Sequence, residues 1–99
     1  MKDFECHITI KGERDTVSPI VNDLGEGWSF SCIDGDPELG LQEFCYATNH
    51  FEDETTSYRN MAITARYLYK QGLDVVRVKV ERVIFDTRIA SEWFTFMKS

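Results

Sequence analysis

The chain has 99 residues, 42% hydrophobic and 28% charged, and its 17 acidic residues against 11 Lys and Arg give a formal net charge of -6. This length supports one hydrophobic core, a single domain over residues 1–99, and excludes a large multidomain enzyme. An acidic balance without a Lys/Arg cluster excludes general attraction to DNA phosphates or to an anionic membrane.

At the start of the chain, Phe4, Cys6, Ile8 and Ile10 alternate with Glu5, His7, Thr9 and Lys11, the period-two pattern of a strand with one buried face. Gly12 ends it. Thr16 to Leu24 then sets Val17, Ile20, Val21 and Leu24 at helical spacing, with Ser18 as the cap, Pro19 in the first turn and Gly25 past the end. Trp28, Phe30 and Cys32 predict a second strand, stopped by the turn-rich, acidic stretch Asp34 to Gly40. Asp34, Asp36 and Glu38 imitate the start of a calcium loop, but Pro37 interrupts it and no distal glutamate follows, so an acidic surface loop without metal is expected.

A third strand is predicted over Phe44 to Phe51, with Cys45, Ala47 and Phe51 inward and Tyr46, Thr48 and His50 on the opposite face. Glu52, Asp53 and Glu54, followed by Thr55, Thr56 and Ser57, form a helix start, because carboxylates and hydroxyls satisfy free backbone amides there. Tyr58, Met61, Ala62, Ala65, Leu68 and Tyr69 give that helix an apolar stripe ending at Gly72. Val75 to Phe85 reads as a long fourth strand, with Val76, Val78 and Val80 on one side and Arg77, Lys79 and Glu81 on the other.

The order strand, helix, strand, strand, helix, strand predicts an α+β ferredoxin-like sandwich, an antiparallel sheet with two helices on one face. Beyond it, the apolar segment Arg88 to Ser99 carries Trp93, Phe94 and Phe96, which predict packing on the open sheet face or a homodimer contact. Three cysteines, Cys6, Cys32 and Cys45, without C-x-x-C spacing suggest reduced thiols. With no apolar stretch long enough for a signal peptide or span, a cytoplasmic protein is expected.

The open face is where the chemistry-bearing residues gather. In a ferredoxin-like order the first and third strands are antiparallel neighbours, so His7 is expected near His50 and Thr9 near Thr48, with Tyr46, Arg77 and Lys79 around them. Two imidazoles can act as general acid and base while hydroxyls and cations hold a phosphate-containing ligand. Against this stands the plainer reading of strand histidines hydrogen-bonded to their neighbours. No glycine-rich phosphate loop, nucleophile elbow or metal-protease helix is present, so no cofactor is expected.

The segment His7-Ile8-Thr9-Ile10 resembles the H-x-[S/T]-hydrophobic motif of the two-histidine phosphoesterase superfamily. That resemblance implies a catalytic role for His7 and, with Thr48-Asn49-His50 as a reversed second motif, for His50, and phosphate binding by Thr9 and Thr48. The family's chains hold two such lobes and this one has the length of a single lobe. Asp34 to Thr48 together with Val75 to Glu81 is similar to small proteins of bacteria and their phages, a likeness that implies no activity. The leading expectation is therefore a binding module that uses the open sheet face, with a phosphodiesterase-like or nucleotide-binding protein as the alternative.

Overall fold

The computed structural model describes residues 2–35 and 37–83, which form an α+β fold with a four-stranded antiparallel sheet and two helices. The apolar C-terminal segment, with Trp93, Phe94 and Phe96 as the predicted dimer contact, lies outside the described residues, as does Asp36 of the acidic loop. The elements run β1 (Phe4–Lys11), α1 (Arg14–Asn22), β2 (Ser29–Ile33), β3 (Phe44–Phe51), α2 (Glu54–Lys70) and β4 (Asp74–Arg82). A single 3-10 turn at Pro37–Leu39 lies inside the acidic loop. Strand order across the sheet is β2-β3-β1-β4, so β1 and β3 are the central pair.

The alternation read in β1 and β3 fixes the faces. Cys6, Ile8 and Ile10 from β1 and Cys45 and Ala47 from β3 are fully buried beneath the helices. They share one core with Val17 and Val21 of α1 and Leu68 of α2, while Trp28, Phe30, Met61 and Val75 pack around its edge. The odd residues of β1 and the even residues of β3 point the other way, as the pleat requires.

Three local expectations are corrected. Helix α1 begins two residues earlier than the hydrophobic spacing indicates, with Glu13 at the N-cap position, no side-chain cap, and Pro19 inside the helix rather than in its first turn. The predicted stripe of α2 faces the core only in part: Leu68 is buried and Met61 and Ala65 pack against the core, but Ser57 and Thr64 are buried too, whereas Tyr58, Ala62 and Tyr69 are exposed. Ser57 tolerates burial because its hydroxyl donates to the Glu54 carbonyl at 2.7 Å, leaving no orphaned polar group. In β4 the pairing shifts between Thr9 and Ile10, from Thr9 opposite Arg77 to Ile10 opposite Val75. Val76 is the extra residue of this irregularity and is exposed, so the valines do not share one buried side.

The cysteines also depart from the expectation of reduced thiols. Cys32 and Cys45 are directly opposed on β2 and β3 and are joined as a disulfide, and only Cys6 is free among the described cysteines. Strand alternation alone places both on the core side but cannot specify this pairing. The cytoplasmic expectation rested on reduced thiols and loses that support. Among the described residues no helix is long and apolar enough to cross a membrane.

Helix α2 starts where the acidic run predicts. Asp53 accepts from the Thr56 backbone N–H at 2.8 Å and from its hydroxyl at 2.7 Å, and these bonds hold its carboxyl below the ordinary aspartate value of 3.8. Asp53→Ala is expected to lower the thermal midpoint by a few degrees at neutral pH. Because the folded-state value is depressed, the cap's contribution is complete above 3.8 and is lost as the carboxyl protonates at lower pH. The gap between the variant and the parent should therefore narrow as the pH falls below 3.8 in thermal melts followed by circular dichroism, and a gap that stays constant on acidification would refute the assignment.

Candidate functional site

The face of the sheet turned away from the helices brings together most of the residues singled out in the sequence. His7 and Thr9 from β1, Tyr46 from β3, and Arg77 and Lys79 from β4 line a cavity of about 120 Å³. Their convergence follows from register: Thr9 stands opposite Tyr46 on one side and Arg77 on the other, and His7 opposite Lys79. A water molecule occupies roughly 30 Å³ of liquid, so the hollow has the volume of a few water molecules.

The register between the central strands differs from the expected one by a single same-face step. His7 is opposite Thr48 rather than beside His50, and His50 is opposite Glu5. Thr48 Oγ1 lies 3.3 Å from His7 Nδ1, while His7 Nε2 lies 2.9 Å from Glu5 Oε1. A carboxylate only accepts, so the neutral imidazole carries its proton on Nε2 and takes the Thr48 hydroxyl hydrogen on Nδ1. The other Glu5 oxygen is 3.5 Å from His50 Nε2, so one carboxylate stands between the two histidines.

Glu5 is the residue that the sequence reading missed. The available signal was its parity, since it shares the open face with His7 and Thr9 one pleat further along β1. Glu81 adds a second carboxylate, 3.8 Å from His7 Nε2 and paired with Lys79, whose hydrogen bond holds Glu81 below the usual glutamate range. Ser29 and Ser31 stand opposite Thr48 and Tyr46 at the β2 side of this face, and the Ser29 hydroxyl donates to the Thr48 carbonyl at 3.3 Å.

Two halves result. At one end Glu5, His7, His50 and Glu81 interact mainly with one another. At the other, Arg77 makes no ion pair among the described residues and faces the hollow with the Thr9 and Tyr46 hydroxyls. No cluster of three His, Cys, Asp or Glu side chains suited to a metal ion occurs among the described residues. Compared with family models and with curated proteins, the chain matches none.

Proposed function

We propose that the protein is a binding module, built on a ferredoxin-like sandwich, whose open sheet face takes the anionic group of a small ligand. The strand order β2-β3-β1-β4 supports the sandwich reading. The observation that carries the ligand reading is the small hollow between β1, β3 and β4, where Arg77 offers a planar guanidinium that forms no direct ion pair among the described residues, although its charge is felt by Glu81. Thr9 and Tyr46 supply neutral donors beside it. A phosphate or carboxylate group would sit on Arg77 with the rest of the ligand lying over the open sheet.

The phosphodiesterase-like alternative, with His7 and His50 as acid and base, draws support from the two imidazoles sharing one face. It is the weaker reading, because both ring nitrogens of His7 are engaged, by Thr48 and Glu5. Calorimetric titration with inorganic phosphate and with a nucleoside monophosphate tests the proposal. Binding is expected in the parent and should weaken about tenfold or more in Arg77→Ala, the worth of one charge-assisted hydrogen bond of about 1.5 kcal/mol. No heat with either compound, or equal affinity in the variant, overturns it. Turnover of a cyclic nucleotide that disappears in His7→Ala would replace it with the catalytic reading.

A further inference from the structure

A second cleft, of about 450 Å³, lies at the other end of β3, where the chain leaves the sheet for α2. Its size is in the range of small-molecule sites, roughly 300–1,000 Å³. Lys2, Glu26, Gly27, Asn49, Phe51 and Glu52 are among its walls. It shares no lining residue with the hollow around Arg77, although His50 of the open face also stands at its wall.

Asn49 is only 7% exposed and lines this cleft. Its Oδ1 accepts from the His50 backbone N–H at 2.7 Å, which fixes the carboxamide, while Nδ2 has no acceptor among the described residues. Nδ2 is not sealed in the core, since no fully buried side-chain nitrogen or oxygen lacks a partner among the described residues. A donor of this kind, held in place and open to solvent, can donate to an oxygen acceptor that enters the cleft.

Gly27 packs directly against the Asn49 carboxamide. A Cβ at this position would fall 2.7 Å from Asn49 Oδ1 and 3.1 Å from Nδ2, and the backbone there has a φ of +87°. Glycine allows both the close approach and the left-handed conformation. The rim carries the exposed carboxylates Glu26 and Glu52 and one cation, Lys2, none of them in an ion pair among the described residues. Asp53, also at this rim, is already committed to capping α2.

An amide donor without a protein acceptor among the described residues, in a cleft also lined by Lys2, suits a carbonyl or carboxylate oxygen, and the two glutamates outside ion pairs suit a cationic group. We propose that this cleft binds an amino compound of basic amino-acid size, its oxygen on Asn49 Nδ2 and Lys2 and its cationic end on Glu26 and Glu52.

The test is a titration of the isotope-labelled protein with free L-arginine, with agmatine, which lacks the carboxylate, and with inorganic phosphate. The Asn49 side-chain amide resonances should shift saturably with L-arginine, and agmatine should bind at least about fivefold more weakly, the loss of one hydrogen bond. Phosphate should leave these resonances in place. The exposed double variant Glu26→Gln/Glu52→Gln should weaken L-arginine at least about tenfold while keeping the parent's melting midpoint. No saturable shift with L-arginine up to about 20 mM, a range that would detect millimolar binding, overturns the proposal. Equal affinity of the double variant and the parent, or a phosphate-induced shift of the Asn49 amide, would overturn it too. Because the readout is Asn49 and not Arg77, the result stands apart from the anion reading of the open face.

Discussion

Ile8→Ala is expected to cost about 2–5 kcal/mol of folding stability, the range for emptying a fully buried isoleucine site. Ile8 has no exposed surface and sits at the middle of β1, between Ala47 of β3 and Val78 of β4. It belongs to the core cluster that includes Val17, Val21 and Leu68, and α2 packs across β1. Neighbouring strands fix the backbone here, and little collapse into the space is available. A domain of this size has about 5–15 kcal/mol in total, so the variant should lose a large share of it and its midpoint should fall by roughly 10–20 °C. Ile63→Ala is the control, since Ile63 is 63% exposed on α2 and should change stability by no more than about 0.5 kcal/mol. Urea titrations of both variants give the comparison. Equal midpoints would mean that the core does not lie where β1 meets the helices.

Much of that core was legible in the sequence because strand period fixes face. The run from Phe4 to Lys11 and the run from Phe44 to Phe51 both became strands with the limits that their alternation indicates, and Cys6, Ile8, Ile10, Cys45 and Ala47 are buried as it requires, while Phe51 is only half-buried and Asn49 is buried in its place. What alternation does not carry is register. A slip of two residues leaves every side chain on its own face, and that is the difference between His7 facing His50 and His7 facing Thr48. The carboxylate between the histidines therefore went unrecognised, although Glu5 had the correct parity. The stripe of α2 was legible at Met61, Ala65 and Leu68 and misleading at the tyrosines for another reason. Tyr58 and Tyr69 count as apolar in a periodicity, but exposed rings satisfy their hydroxyls in water, and small hydroxyl residues such as Ser57 and Thr64 fit beneath the helix. The β4 irregularity is a property of strand pairing and has no signature in the valine run itself.

Breaking the Cys32–Cys45 disulfide is the second change with a large expected effect. The bond joins positions 13 apart in sequence, and closing a loop of about that length constrains the unfolded chain by roughly 3 kcal/mol. It also ties down β2, whose only sheet neighbour among the described residues is β3. Reduction, or the double variant Cys32→Ala/Cys45→Ala, should lower the thermal midpoint by about 10 °C or more. Hydrogen exchange should then show amides of β2 losing protection before those of β1, because β1 retains partners on both sides. Thiol counting supplies the independent check. Cys6 is buried and its thiol is pushed up by desolvation, so the folded oxidised protein should react slowly, and the unfolded oxidised protein should expose that one thiol alone. Three reactive thiols on unfolding without reductant would refute the bond, and an unchanged midpoint on reduction would refute its contribution. If both expectations hold, the acidic 99-residue chain owes part of its stability to redox conditions, and the open face bearing Arg77 is held on a sheet whose outer strand depends on them.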